Sequence, residues 1–356
     1  MKQLFILLSF LGIAWTSCST DFDVAADWKE IPIVYGLLDA SQNTQYIKVN
    51  KAFLDENVSA YTIAQNPDSL YLAEPTSVQL LAKDDNGNIH QTIMLQKVDA
   101  ATEGIVKEEG IFATNPYWLY KTTEVLNPSY VYHLEIATPK GQTVTAQTNV
   151  IGNFNISKPD PNPANPPINL AATNAAITCR WDIPANGELY DLDLFVKYTE
   201  RLTNGEQRDK VDKINVFTAE TIESMKRNDD FSVDNSITYR LKADHLLDLM
   251  AQQLSAPDAD VESRYFGTFD FEWHVGGSDL NLFNQTQIAQ QSIAASQITT
   301  TYSNIAGGYG LLSSRYSKKV VDVPISVASF RYIACNELTR FLKFTVHLSD
   351  PTYPDC

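Results

Sequence analysis

The residue types best suited to catalysis are scattered through this sequence. None of its five histidines stands in the H-E-x-x-H or H-x-H spacing that brings two imidazoles onto one metal. No G-x-S-x-G segment is present to hold a nucleophilic serine on a sharp turn. We therefore interpret the histidines as structural or surface residues, namely His90, His133, His245, His274 and His347. The sequence predicts no catalytic residue, no metal site and no cofactor.

One pair of carboxylates has a spacing that could serve acid–base chemistry. Asp191 and Asp193 flank Leu192 in an alternating segment, so they should share one face of a strand. Two close carboxylates can cleave a glycosidic bond. We interpret the pair instead as an exposed strand face. A hydrolase whose site combines distant residues, with His274 or Asp191 in a closed pocket, stays open as an alternative function.

Two polar, glycine-containing segments resemble binding loops. Gly276 to Asp279 lacks the lysine of a phosphate loop, so we expect a turn whose Ser278 caps the next helix. Asp84, Asn86 and Asn88 have the alternate spacing of a calcium loop, but no acidic residue follows at the far end. Asn86-Gly87 is a strong hairpin signal, with positive φ expected at both residues.

The segment 305–316 is the candidate for ligand contact. Gly307, Gly308 and Gly310 lie beside Tyr309, and Arg315 and Tyr316 follow. Glycines allow close backbone approach, and tyrosines offer flat apolar faces with a polar tip. We therefore name Tyr309, Arg315 and Tyr316 as candidate ligand-binding residues. The alternative is a glycine bulge that feeds a strand.

The start of the sequence predicts an export signal and a lipid anchor. Lys2 precedes the apolar run 4–15, which has the length of a signal-peptide core, and Thr16, Ser17 and Cys18 follow. A small residue before this cysteine resembles a bacterial lipobox, although Trp15 departs from it. We expect residues 1–17 to be removed, Cys18 to be acylated and residues 18–27 to form a tether. The alternative is an ordinary signal peptide with an incidental cysteine.

The composition limits which binding partners and which disulfide bonds are expected. A net charge of −16 argues against nucleic acid and against docking to anionic lipid headgroups. With Cys18 acylated, three cysteines remain, and an oxidising compartment permits one disulfide. Cys335 with Cys356 is the favoured pair because the loop is short and the pair would pin the end of the sequence. Cys179 is expected to be a small buried apolar residue.

Alternating apolar residues predict a mainly β fold. We expect strands at 31–38, 44–53, 77–83 and 89–95, and a loop with a short helix at 55–74. The Leu-x-Pro-x-x-x-Tyr-x-Leu pattern at 126–134 resembles the tyrosine corner of immunoglobulin-like sandwiches, with Tyr132 as the corner residue. The prediction for 28–153 is therefore an immunoglobulin-like β-sandwich.

A proline-rich segment separates this region from a second one. Five prolines between residues 158 and 168 favour an extended spacer without a ladder of its own, so 154–169 is the predicted linker. Residues 170–356 are predicted to form a second β-rich α+β domain. Its expected helices are 243–254, 279–293 and 327–341, and its later strands 268–275 and 319–325.

The whole sequence is similar to a group of Bacteroidota outer-membrane lipoproteins of unknown function. The similarity rests on the lipobox, on 34–38 (VYGLL) with 46–49 (YIKV), on 67–71 (PDSLY) and on 307–310 (GGYG). Such proteins often accompany TonB-dependent transporters. The resemblance implies a lipid-anchored protein of the outer membrane, with the periplasmic face and the cell surface both open.

These observations lead to two hypotheses about function. The first is a non-enzymatic lipoprotein that captures a ligand or acts as the accessory partner of a TonB-dependent outer-membrane β-barrel. The alternative is a structural or adhesive envelope module that acts through protein–protein contacts.

Overall fold

Most strands form because apolar residues alternate with polar ones along the chain. In Val131–Ala137, for example, Tyr132, Leu134 and Ile136 are fully buried while their neighbours are half exposed. A period of two places one set of side chains on each face of a sheet. The computed structural model describes residues 30–53, 58–72, 74–75, 77–291 and 301–345, and its fold is mainly β with several sheets, as expected.

Seventeen strands are defined in the described residues. They are β1 Pro32–Asp39, β2 Gln45–Lys51, β3 Ser77–Lys83, β4 Ile89–Met94, β5 Gln96–Asp99, β6 Trp118–Thr122, β7 Val131–Ala137, β8 Thr143–Asn149, β9 Ile156–Lys158, β10 Ala176–Asp182, β11 Leu189–Leu202, β12 Gln207–Thr221, β13 Phe231–Val233, β14 Ser236–Lys242, β15 Val261–Gly276, β16 Tyr309–Val323 and β17 Phe344–Thr345. Strands β15 and β16 begin well before the predicted strands 268–275 and 319–325.

The described helices are short and lie between the strands. They are α1 Ala60–Ala64, α2 Pro67–Leu70, α3 Ile222–Met225, α4 Ala243–Gln253, α5 Ser278–Gln291 and α6 Val327–Cys335, with 3-10 turns at Ala100–Glu103 and Arg340–Leu342. The predicted helix at 243–254 is confirmed, because Leu246, Leu247 and Met250 are its buried face. The predicted helix at 327–341 ends earlier, at Cys335.

Three sheets organise the chain. The largest has the order β12-β11-β15-β16-β1-β2-β6-β5, with β17 also paired to β15. A four-stranded sheet, β4-β3-β7-β8, shares a buried core with the β1–β2–β6 part of the large sheet. A second four-stranded sheet, β13-β14-β10-β9, shares another core with β11, β12, β15 and β16. Each half of the chain therefore buries its apolar residues between two sheets.

One strand of the second half joins the first half. β16 pairs in parallel with β1, from Ile33 opposite Tyr309 to Asp39 opposite Arg315, while its later residues pair with β15. The large sheet is therefore continuous across both predicted domains. The boundaries 28–153, 154–169 and 170–356 stay predictions. Within the predicted linker, Ile156–Lys158 pairs with β10, and Ile168 forms an isolated bridge to Ile325, so the proline-rich residues lie between two sheet contacts.

The predicted hairpin at 77–95 is confirmed, because β3 pairs with β4 in an antiparallel ladder. Of its two turn residues Asn86 and Gly87, only Gly87 has positive φ, and Asp84 accepts the backbone N–H groups of Asn86 and Asn88. The expectation about the cap of α5 is wrong. Ser278 is the first residue of α5 and not its cap. The N–H of Leu280, in the first turn of α5, donates instead to Ser313 Oγ of β16 at 3.0 Å.

Several predictions concern residues outside the described part of the chain. The signal peptide, Cys18, the tether and Cys356 all lie there. Cys335 is disulfide-bonded, and its pairing with Cys356 stays a prediction. Cys179 is buried with a free thiol, as expected. Among the described helices, none is long and apolar enough to span a membrane.

Candidate functional site

The three predicted ligand residues do not converge on one site. Tyr309 is exposed at the start of β16, and Arg315 forms an ion pair with Asp39 at 3.2 Å from Nε to Oδ2. Tyr316 points to the opposite face, where its ring packs edge-on against Phe154 at 5.8 Å between centroids. That Tyr309, Arg315 and Tyr316 contact a ligand stays a prediction.

A different group of residues encloses a cavity of about 500 Å³ on the outer face of the large sheet. We call it the aromatic cavity. Its walls combine five aromatic rings, three lysines and four other residues: Tyr35, Phe53, Tyr71, Phe112 and Tyr117; Lys48, Lys51 and Lys107; Ile33, Asn50, Ala52 and Leu70. Its volume falls within the range of about 300–1,000 Å³ that is usual for small-molecule sites.

Strands β1 and β2 form the floor of the aromatic cavity. Tyr35 is paired with Lys48, and Ile33 with Asn50, so these four residues share one face of the sheet. The residues between them, such as Val34 and Val49, face the core. The floor therefore has the rigidity of a paired sheet, and Tyr309, in register with Ile33, lies at its border.

The segment between β5 and β6 forms the opposite wall. The backbone N–H of Ala113 donates to Ala64 of α1, and Tyr71 Oη donates to the carbonyl of Pro116 at 2.6 Å. Phe112 packs edge-on against Phe53 at 6.5 Å. These contacts fix the wall against α1 and the residue that follows α2. Because Phe112 stays partly exposed, the cavity is open to solvent on this side.

Two lysines of the aromatic cavity lie against the same ring. Lys48 Nζ is 5.5 Å from the centroid of Tyr117, and Lys107 Nζ is 5.7 Å from it. Burial, together with the charge of Lys107, lowers the pKa of Lys48, and burial lowers the pKa of Lys107. Lys107 Nζ donates to the carbonyl of Ala113 at 2.6 Å. Within the described residues neither Lys48 nor Lys107 has a carboxylate partner, whereas Lys51 is paired with Glu30.

One polar atom in the wall also lacks a partner. Asn50 Oδ1 is buried and accepts no hydrogen bond among the residues that the structure describes. A buried acceptor without a donor costs about 1–3 kcal/mol. Such an atom in the wall of a cavity can recover this energy by accepting a hydrogen bond from a bound molecule or an ordered water.

No protein-family model and no curated protein matches this chain. The ammonium groups of Lys48 and Lys107 can bind an anionic group, the rings can bind a flat apolar group, and the described residues contain no cluster of metal-ligating side chains.

A second polar arrangement involves the carboxylate pair predicted from the sequence. His274 lies between Ser317 and Asp193, with Nδ1 2.9 Å from Ser317 Oγ and Nε2 3.1 Å from Asp193 Oδ2. Asp193 is almost fully buried and also contacts Lys213 at 2.7 Å, so the expectation of an exposed strand face is wrong for this residue. Asp191 instead accepts the backbone N–H of Ala219.

The hydrogen bond that His274 donates to Asp193 is the main cause that raises the pKa of His274. Burial raises the pKa of Asp191. This arrangement joins β11, β15 and β16 on the outer face of the sheet, and none of its residues lines the aromatic cavity. These contacts connect the three strands, and this structural role is sufficient to explain them.

The sequence contained a partial signal for the aromatic cavity. Tyr46, Lys48 and Asn50 alternate with buried Ile47 and Val49, which marks an outward face that carries a lysine. The residues that complete the cavity, Lys107, Phe112 and Tyr117, come from a segment without periodicity. Their approach to β2 depends on tertiary contacts that no local pattern encodes.

Proposed function

We propose that this protein is a non-enzymatic lipoprotein of the outer membrane that captures a small molecule in the aromatic cavity. The observation that carries the proposal is the cavity itself: five aromatic rings and the ammonium groups of Lys48 and Lys107 line about 500 Å³, and neither ammonium group has a carboxylate partner among the described residues. Sites of this kind are concave, largely apolar and provided with a few polar groups that orient the ligand.

The proposed anchor is Cys18. Each methylene of an acyl chain contributes about 0.8 kcal/mol when it enters the membrane, so several chains hold a protein there stably. Thirteen residues lie between Cys18 and Pro32, the first residue of β1, and this length of chain spans at most about 50 Å. Because Ile33 of β1 lines the cavity, capture would take place close to the membrane surface.

We further propose that residues 28–153 belong to the immunoglobulin-like class of sandwiches. Support comes from Tyr132, whose ring is fully buried and whose hydroxyl accepts the backbone N–H of Asn127 at 2.7 Å. A bond from a strand tyrosine to backbone a few residues upstream is the hallmark of a tyrosine corner. The partner we propose is a TonB-dependent outer-membrane β-barrel, on the strength of the family resemblance alone.

Ligand capture is tested with protein purified from native membranes in mild detergent. Small molecules released on denaturation are identified by mass spectrometry for the wild type and for Ala52→Trp, which fills the cavity. We expect at least one compound to be released by the wild type and by the control Ala171→Trp, an exposed position in the second half. Equal release by all three proteins, or release by none, contradicts capture in this cavity.

The anchor and the partner are tested in the same cells. We expect the wild type to incorporate a labelled fatty acid and to enter the detergent phase, and Cys18→Ser to do neither. Cross-linking before purification should join a large outer-membrane β-barrel to the wild type. A protein that stays monomeric and free of any barrel after cross-linking excludes the proposed partner.

A further inference from the structure

The charges of the aromatic cavity limit what it can bind. The protein as a whole is strongly acidic, yet Lys48 and Lys107 both place their ammonium groups at the ring of Tyr117 with no carboxylate beside them in the described structure. Both lysines are half-buried, and a partly desolvated ammonium group is stabilised when an anion binds beside it. A cationic ligand would be repelled by this pair.

The rings limit the ligand in a second way. Both lysines lie near the ring of Tyr117, and the ring of Phe112 lies 5.7 Å from Lys107 Nζ. A ligand that contacts the two ammonium groups therefore also meets aromatic rings. A small inorganic anion would pair with the lysines but leave the rings without a ligand contact, and a purely apolar molecule would leave the two ammonium groups without an anion and Asn50 Oδ1 without a donor.

We propose that the ligand of the aromatic cavity is a ring-bearing organic anion, whose carboxylate, sulfate or phosphate group binds between Lys48 and Lys107 while its ring packs against Tyr117 and Phe112. The inference rests on the proposed function, because it names the chemical class of the captured molecule. Charge-assisted hydrogen bonds from the two lysines supply affinity for the anionic group, and ring contacts add to it.

The test compares acids with neutral molecules of the same shape. Binding of indole-3-acetate, indoxyl sulfate and naphthalene-1-acetate to the full-length protein is measured by calorimetry, with indole-3-acetamide and naphthalene-1-acetamide as neutral counterparts and inorganic phosphate as the anion alone. We expect indole-3-acetate and naphthalene-1-acetate each to bind at least about tenfold more tightly than the corresponding amide, and phosphate to bind more weakly than any of the three acids.

Variants then assign the charge preference to the two lysines. Lys48→Met and Lys107→Met should each reduce the ratio of acid affinity to amide affinity. The double variant should bring this ratio close to one, while its affinity for the amides changes little. Lys210→Met is the matched control, because Lys210 is exposed on β12, at the far edge of the large sheet from β2. A preference for acids that persists in the double variant overturns the proposed position of the anion.

The outcomes separate this inference from the proposed function. If no acid binds more tightly than its amide, or if the compound released from the native protein is neutral, the proposal that the ligand is an anion is wrong, but the proposal of ligand capture is not contradicted. If no compound is released and no probe binds, capture itself fails. Tight binding of phosphate alone identifies an anion site without the ring contacts and overturns the assignment of a ring-bearing ligand.

Discussion

Gly310 lies directly against the backbone of Val34 where β16 joins β1. Gly310 has a φ of +124°, and a Cβ atom on it would overlap the Val34 carbonyl oxygen. The parallel pairing that makes the large sheet continuous therefore requires a glycine here. The glycine-rich segment 307–310 serves this close approach between two strands that are distant in sequence.

We predict that Gly310→Ala lowers the free energy of unfolding by at least about 3 kcal/mol, because backbone strain at positive φ adds to the overlap with Val34. Urea denaturation followed by fluorescence measures the change. Gly87→Ala, at a φ of +82° with open space around it, should cost only about 1 kcal/mol. Gly110→Ala, with neither strain nor close neighbours, should stay within about 0.5 kcal/mol. Equal effects at all three positions would contradict this account.

The fold could be predicted from the sequence only where the pattern is local. Alternation in β2 and the three- and four-residue spacing of Leu246, Leu247 and Met250 identified a strand and a helix within a few residues of their ends. The pairing of Val34 with Gly310 could not be predicted, because a periodic pattern shows which face is buried and not which strand lies beside it. The aromatic cavity was missed for the same reason.

The second prediction concerns a buried ion pair between β11 and β15. Arg264 and Glu200 are opposite each other in the ladder, are both about 2% exposed, and meet at 2.8 Å from Nη2 to Oε1. Arg264→Met leaves the Glu200 carboxylate buried with one cation fewer, so we expect a loss of about 3–5 kcal/mol in the free energy of unfolding.

A neighbouring surface pair provides the control for this change. Arg201 and Glu262 meet at 3.2 Å, but both side chains are about one-third exposed. Arg201→Met should therefore cost less than about 1 kcal/mol in the same denaturation experiment. If Arg264→Met costs no more than Arg201→Met, the buried pair does not stabilise the contact between the two strands.

The third prediction follows from the contact of His274 with Asp193. The hydrogen bond raises the pKa of His274 above its ordinary 6.5, so the stabilisation is complete below about pH 6.5 and is lost as pH rises through the raised value. The stability difference between the wild type and His274→Gln should therefore be largest in mild acid and shrink in base. Denaturation at a series of pH values measures it.

Proton NMR of the histidine rings provides the control. His274 should titrate above 6.5 in the wild type and lower in Asp193→Asn. His133, whose pKa is lowered mainly by burial, should titrate below 6.5 in both proteins. Because His133 must then be charged at a cost, its contribution to stability falls as pH drops below 6.5. A His274 midpoint that does not change in Asp193→Asn would exclude the proposed cause.

The last prediction concerns Cys179, which is fully buried in β10 opposite Tyr239. Burial raises the pKa of its thiol, and only the thiolate reacts at a useful rate, so iodoacetamide should leave Cys179 unmodified in the native protein at pH 8 and label it fully in guanidinium. Peptide mapping by mass spectrometry follows the reaction. Thr178→Cys in a Cys179→Ala background moves the thiol to the adjacent, exposed position and should react within minutes. Rapid native labelling of Cys179 itself would mean that β10 leaves the sheet often enough to expose its inner face.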